Sequence, residues 1–320
     1  MSTALRPSGS SAVPSRSVVT ARWLVVVNPA SGRRDGGRGW QTIEQALRRT
    51  DVSFDVVHTQ HAGHGETLAR QALSDGRRHI VAVGGDGSVN EIVQGILTAG
   101  LPDTREVTLA VAPQGTGNDW ARSLGITRDP SRIAAAVAAG RTMLHDVGFI
   151  DFSATGGPRR WFINVAGAGY DAWVSERVPR PVPSAFTYLR VALNGLASYR
   201  SPEFRITAGD ETIAGRLLLA FVANAQYCGN RMHVAPTASM DDGLLDVLAV
   251  QELSLLQVLP KLIKLYRGRI LGDRAVRHLR ASTVRLETTP SVTVQADGQI
   301  VGRTPAEFGV QRQALRVVIP

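Results

Sequence analysis

Two kinds of sequence pattern follow one another along the chain, and together they predict an α/β domain with a parallel sheet joined to an antiparallel β-rich domain. The first pattern, from residue 22 to about 145, alternates short β-branched runs with amphipathic stretches joined by short connections. That is the signature of a parallel sheet covered by helices on both faces. The second, from about residue 146 to 320, strings strand-like segments together between Gly, Pro and Asp turns, as an antiparallel sandwich or open barrel does. The length of 320 residues fits two such units at roughly 100–200 residues each.

In chain order, Arg22–Val27 reads as a buried strand that ends in the turn Asn28-Pro29-Ala30-Ser31-Gly32. A helix near Trp40–Arg49 follows, with Ile43, Ala46 and Leu47 on one face. Val52–His58 is a second strand and Glu66–Leu73 a second helix, closed by Gly76. His79–Val83 is a third strand and runs directly into Gly84-Gly85-Asp86-Gly87-Ser88. Ile92, Val93, Ile96 and Leu97 then form a helical stripe that stops at Gly100. Val107–Ala112 is a fourth strand, followed by Pro113-Gln114-Gly115-Thr116-Gly117-Asn118-Asp119.

In the second half, strands are expected at Val147–Phe152, Trp161–Val165, Phe204–Ala208, Arg216–Ala223, Leu244–Val250, Thr283–Thr288, Val292–Ala296 and Leu315–Ile319. Helical inserts are expected near Ala185–Tyr199 and Leu253–Tyr266, with Pro260 opening a new helical turn rather than sitting inside one. No repeat of 20–50 residues marks a solenoid.

Composition narrows the class further. A chain that is 43% hydrophobic and 20% charged is not disordered as a whole. The net charge is +9, and almost all of the positive charge is arginine, which binds phosphate and carboxylate bidentately. One cysteine, Cys228, excludes an internal disulfide and any multi-cysteine metal site. The apolar runs fall well short of the roughly 18 residues that a spanning helix needs. Residues 1–20, rich in Ser, Pro and Arg, read as a disordered tail. The expected location is cytoplasmic, with peripheral membrane contact only.

Three glycine-rich turns leave strands for helices at the carboxyl edge of the predicted parallel sheet, where ligands bind in such folds. Glycine lets backbone amides approach an anion, and the following helix N-terminus adds partial positive charge. Three such turns, two of them with aspartate, point to a polyphosphate site. Neither the G-x-x-x-x-G-K-[ST] loop nor a strict G-x-G-x-x-G is present.

These turns resemble the three catalytic-domain motifs of the diacylglycerol kinase family: Asn28–Gly32, Gly84-Gly85-Asp86-Gly87-Ser88-Val89-Asn90-Glu91 and Gly115–Asp119. The resemblance continues through Asp146, Asn164–Asp171, Met240–Asp246 and Asp297-Gly298, covering nearly everything from residue 22 to 320. It implies a Rossmann-like nucleotide domain over 21–145, similar to NAD kinase and diacylglycerol kinase, and a β-sandwich domain over 146–320. It also implies an ATP- and Mg²⁺-dependent lipid kinase that converts diacylglycerol to phosphatidic acid.

By that resemblance Asn28, Pro29, Ala30, Ser31, Gly32, Thr59, Gly84, Gly85, Asp86, Gly87, Ser88, Val89, Asn90, Glu91, Gly115, Thr116 and Asp119 lie at the nucleotide, with Asp86, Asp119 and Asp146 around phosphates and metal. Oxygens of Ser239, Asp242 and Leu244 would hold a structural Mg²⁺, an oxygen-seeking cation. The chain departs from the family at two points. Ser88 stands where threonine is usual, and the family's Asp-Gly-Glu turn reads Asp297-Gly298-Gln299. Glutamine cannot take up a proton as a carboxylate does, which leaves Asp86 or Asp297 as the base. The expected partners are a lipid substrate, a membrane surface and at most a second copy in a homodimer, with no nucleic acid. The competing readings are an NAD kinase-like small-molecule kinase and a non-catalytic nucleotide- or lipid-binding regulator.

Overall fold

The computed structural model describes residues 22–31, 39–152, 154, 156–178, 185–196 and 198–320. The expected tail at 1–20 and Gly32 of the first turn lie outside the described residues. The fold opens with four parallel strands: β1 (Trp23–Val27), β2 (Phe54–His58), β3 (His79–Gly84) and β4 (Thr108–Pro113). They lie in the order β2-β1-β3-β4, with Val25 between Val56 and Val81. Every residue of β1 is buried, as a central strand covered on both faces requires.

Helices α1 (Gly39–Leu47), α2 (His64–Ser74), α3 (Asp86–Leu97), α4 (Asp119–Ser123) and α5 (Pro130–Ala139) complete this unit. Ile43, Leu47, Ile133 and Val137 of α1 and α5 pack with Val25, Val81 and Ala110 on one face of the sheet. Leu73, Ile92 and Ile96 of α2 and α3 pack with Leu24, Ile80 and Leu109 on the other.

β5 (Thr142–Phe152) runs through the change of pattern near residue 145 and begins a two-sheet sandwich. It is followed by β6 (Gly157–Phe162), β7 (Val165–Gly169), α6 (Tyr170–Arg177) and α7 (Ala185–Leu196). Next come β8 (Glu203–Ala208), β9 (Glu211–Ala223) and the short hairpin β10 (Tyr227–Cys228) and β11 (Met232–His233). The remainder is β12 (Leu245–Gln251), α8 (Leu255–Tyr266), β13 (Val276–Ala281), β14 (Thr283–Thr289), β15 (Thr293–Ala296), β16 (Gln299–Arg303) and β17 (Ala306–Val318).

One sheet runs β6-β5-β17-β14-β8-β9, the other β13-β12-β9-β7-β15-β16. β9 belongs to both, pairing β8 with its first half and β7 and β12 with its second. Ile150, Phe162, Ile206, Leu245, Leu286 and Phe308 fill the space between the sheets.

β17 ties the two units together. It begins beside β14, while Arg316 and Val317 lie parallel to Thr108 and Leu109 of β4. Leu315 and Val317 join the core under α2 and α3, and Val318 joins the one under α1 and α5.

One local expectation is corrected. α8 continues through Pro260, which sits inside the helix. Proline removes the hydrogen bond to the carbonyl of Leu256. Leu256 is 89% exposed, so the lost bond falls on the solvent-facing side of the helix. A capping box between Ser254 and Gln257 secures the helix start, which the sequence places two residues early.

Candidate active site

The carboxyl ends of the parallel strands share one edge, and the expected turns gather there. Asn28 closes β1 with three bonds. Its N–H donates to the Val83 carbonyl at 2.9 Å, its Oδ1 accepts the Ala30 N–H at 2.9 Å, and its Nδ2 donates to Ser88 Oγ at 2.8 Å. The hydroxyl at 88 therefore ties the first turn to the second, a task that serine performs as threonine would. Pro29 and Ala30 are exposed beyond this tie, and Ser31 donates its N–H to the Asn28 carbonyl at 3.1 Å. Thr59 stands beside β1, its N–H donating to the Val27 carbonyl at 2.9 Å.

The second and third turns touch backbone to backbone. A Cβ on Gly115 would lie 2.4 Å from the Cα of Gly85, so only glycine fits there without parting the turns. Asn118, in the left-handed region at φ 53°, holds the third turn by accepting from the Gly115 N–H at 2.9 Å and donating to its carbonyl at 3.0 Å. Arg128 donates to the same carbonyl. Thr116 is exposed at the tip. α3 starts at Asp86 after Gly85, with no side-chain cap. Its first-turn amides, those of Gly87 and Ser88 among them, are thus left for an anion at this edge.

Three members of the second motif face elsewhere, the buried Asn90 donating its side-chain amide to Asp297 of the sandwich. Val89 is buried in the core under α2 and α3. Glu91 caps α2, its Oε1 accepting the Gly63 N–H at 2.8 Å and its Oε2 the Gly65 N–H at 3.0 Å.

The carboxylates divide by what they already hold. Asp86 Oδ1 accepts the Trp120 N–H at 3.1 Å, and among the described residues Oδ2 accepts no hydrogen bond. Asp119 is buried and takes the main-chain N–H groups of Asn230 at 2.9 Å and Arg231 at 2.8 Å. The two meet around Gly117, where an added Cβ would stand 3.1 Å from Asp86 Oδ2 and 3.3 Å from Asp119 Oδ2. Burial raises the Asp119 pKa, and the charge of Asp86 adds to the rise.

Asp146 serves the sandwich instead, accepting from the N–H groups of Gly243 and Gln313, each at 2.6 Å.

Asp297 sits at φ 47° in the turn between β15 and β16. Its Oδ1 accepts from Asn164 N at 2.9 Å and Val165 N at 3.2 Å; its Oδ2 accepts from Ile163 N and Asn90 Nδ2, each at 2.8 Å. Four donors fill the four lone-pair positions of a carboxylate. Burial pushes its pKa up to about 6, against the pull of those donors and with the help of the Asp86 charge. Gln299 opens β16 two residues on, partly buried, opposite Ala296.

At the other expected ligand set, Ser239 donates to Asp241, Asp242 Oδ1 accepts the Leu244 N–H at 2.9 Å, and Asp242 Oδ2 is paired with Arg280. That arrangement does not fit a Mg²⁺ ion, because a guanidinium already neutralises the carboxylate. Among the described residues no group of three His, Cys, Asp or Glu is placed to hold a metal. Asp119 fits better, since the pKa of its carboxylate is raised by burial and further by the Asp86 charge across Gly117, and its oxygens suit a hard cation that keeps phosphate and water ligands.

Sequence reading missed the second contributor to this edge. The hairpin of β10 and β11 brings Asn230 and Arg231, both at positive φ, onto Asp119. The Gly229-Asn230 pair was its only turn signal. It also missed Gln94, whose Nε2 donates to the Trp161 carbonyl at 2.7 Å and holds α3 against the sandwich.

Relatives show the same two-part arrangement. A family model for the diacylglycerol kinase catalytic domain matches residues 22–150, and one for the YegS C-terminal NAD kinase beta sandwich-like domain matches 164–319. Diacylglycerol kinase of Mycobacterium tuberculosis (strain H37Rv) is 30% identical over 299 residues, covering 92% of this chain and 94% of that one. Diacylglycerol kinase of Bacillus subtilis (strain 168) is 28% identical over 303 residues, covering 93% and 96%. A crystal structure of a Bacillus anthracis diacylglycerol kinase shares the fold, with a TM-score of 0.72 at 21% identity, covering 94% of this chain and 97% of that one. With both units matched in order and a 30% identical relative spanned almost end to end, the chain belongs to the diacylglycerol kinase catalytic-domain family of lipid kinases.

Proposed function

We propose that this lipid kinase transfers the γ-phosphoryl group of ATP to a lipid hydroxyl with Mg²⁺, and that diacylglycerol is the acceptor, giving phosphatidic acid and ADP. The observation that carries the reading is the Asp86 carboxylate at the head of α3, one oxygen held by the Trp120 N–H and the other unclaimed among the described residues, where the turns of Gly85 and Gly115 meet at one sheet edge. Phosphoryl transfer asks mainly for positioning and charge neutralisation, with one group to receive the hydroxyl proton. The first-turn amides of α3 and the turn of Gly115 and Thr116 would carry the phosphates. Asp119, fixed by Asn230 and Arg231, would hold Mg²⁺, which supplies neutralisation of phosphate charge. Asp86 would accept the proton as the lipid oxygen bonds to the γ-phosphorus and ADP leaves.

Asp297 is the weaker candidate for the base, because its lone-pair positions are already taken by four donors and accepting a proton would cost it one of those hydrogen bonds. Its role is to align α3 with the strand ends of the sandwich. Gln299 then needs no carboxylate for turnover. Diacylglycerol is favoured by the relatives of that name at 28% and 30% identity. The test is label transfer from γ-labelled ATP, with Mg²⁺ present, to diacylglycerol, a sphingoid base, a glycolipid, phosphatidylglycerol and NAD. Labelled phosphatidic acid supports the reading. Label in NAD alone, or ATP binding without transfer to any acceptor, contradicts it.

A further inference from the structure

α8 is apolar on more than the face it packs. Leu265 joins the cluster around Val165 and Leu248. On the opposite side Leu256, Pro260, Ile263 and Arg267 fall at i, i+4, i+7 and i+11, one stripe of the helix, and all four are exposed. Leu256 is 89% exposed, Ile263 49%, and Tyr266 beside the stripe 54%.

The surroundings are strongly cationic. Residues 253–280 hold seven Lys and Arg but one acid, Asp273. That acid is consumed by Lys261 at 2.8 Å and Lys264 at 2.7 Å. Arg267, Arg269, Arg274 and Arg277 are exposed and form no ion pair among the described residues.

We propose that this outer face of α8, with Arg267, Arg269 and Arg274 beside it, docks the enzyme on an anionic lipid bilayer, Leu256 and Ile263 entering the boundary between headgroups and acyl chains. The proposal rests on the lipid-kinase reading and names the surface that brings the site to its substrate. An anionic polymer would satisfy the arginines and leave Leu256 and Ile263 in water, whereas an anionic bilayer satisfies both.

Packing links this face to the phosphate edge. Gly268, just past α8, lies against His233, where a Cβ would stand 2.4 Å from Nδ1. His233 stacks on Tyr227 at 4.3 Å, and the hairpin they flank supplies the amides that hold Asp119.

The test is sedimentation of the full chain with vesicles of phosphatidylcholine alone or with added phosphatidylglycerol, at low and moderate salt. The variants are the pair Leu256→Asp with Ile263→Asp, the pair Arg267→Gln with Arg269→Gln, and the control Arg132→Gln on α5. ATP transfer to a short-chain, water-dispersed diacylglycerol and to a long-chain one in vesicles is measured alongside.

The parent and the control are expected to bind anionic vesicles and to be released by salt. The arginine pair should bind more weakly by about fivefold per arginine, and the Leu256 and Ile263 pair by about tenfold or more. Both pairs should keep turnover on the dispersed substrate and lose it on vesicles. Variants that sediment like the parent, or a parent that binds neutral vesicles equally well, overturn the docking surface. A parent that needs α8 to bind vesicles yet phosphorylates no lipid overturns the lipid-kinase reading instead and leaves the surface standing.

Discussion

Asn90 on α3 donates its side-chain amide to the Asp297 carboxylate at 2.8 Å, joining residues 207 positions apart in the chain. The bond crosses from the parallel-sheet unit to the sandwich. It fixes the head of α3, where Asp86 lies, against the strand ends that carry Asn164 and Val165.

Asn90→Ala removes one donor from a buried, ionised acceptor. Unfolding in urea at pH 7.5 should show a loss of about 1–3 kcal/mol. The loss should shrink as pH falls below 6, where Asp297 takes up a proton and needs the donor less. A loss that stays constant from pH 7.5 to pH 5 would contradict this.

Asp171 and Asp297 are both pushed up to about 6, burial being the main cause in each. Unfolded aspartate titrates near 3.9. Between about pH 4 and pH 6 the native state therefore binds more protons than the unfolded chain, and these two groups make stability fall as pH rises through that window. Asp171→Asn should remove one of the two contributions, so the variant gains relative to the parent between pH 4 and pH 6. Parallel stability curves for the two proteins would refute the assignment.

Gly115 and Gly117 should fail in different ways. Gly115→Ala drives a Cβ into the backbone of Gly85 and should cost about 1–3 kcal/mol, read as a lower Tm. Gly117→Ala places a methyl group between Asp86 and Asp119 at ordinary backbone angles, so Tm should stay near that of the parent while phosphoryl transfer is lost. Equal Tm losses with equal residual rates would contradict the separation.

Asp242 pairs with Arg280 in a partly exposed setting, so Asp242→Ala should cost about 1 kcal/mol or less. Melting with and without Mg²⁺ checks the partner. The loss should be the same in both, whereas a loss seen only with Mg²⁺ would return the site to a metal.

Much of this molecule is legible in the sequence because local signals and burial agree. The apolar, β-branched run Trp23–Val27 reads as a two-face-buried strand and is one, and Gly84-Gly85 after His79–Val83 marks a strand end. α5 carried its own signals, with Asp129 as cap, Pro130 at the start and Gly140 at the end, yet its short alanine-rich stretch has little periodicity to read. What stayed hidden depends on long-range contact. Glu91 resembles a nucleotide ligand in its motif, but its register on α3 directs it onto α2. Asp242 reads as a cation ligand until β13, unmarked in the sequence, brings Arg280 beside it. The return of Arg316 and Val317 to β4 leaves no local trace, because a strand that completes another unit's sheet has the same apolar pattern as one that does not.

The most direct test of the account is the turnover of Asp86→Asn and Asp297→Asn beside the parent, with γ-labelled ATP, Mg²⁺ and diacylglycerol, across a pH series. The expected result is a fall of about 10²–10⁴-fold for Asp86→Asn with unchanged Tm, and a slower Asp297→Asn enzyme that keeps the parent's pH profile. Asp86→Asn working at the parental rate, or Asp297→Asn alone abolishing transfer at unchanged Tm, would contradict the assignment of Asp86 as the base.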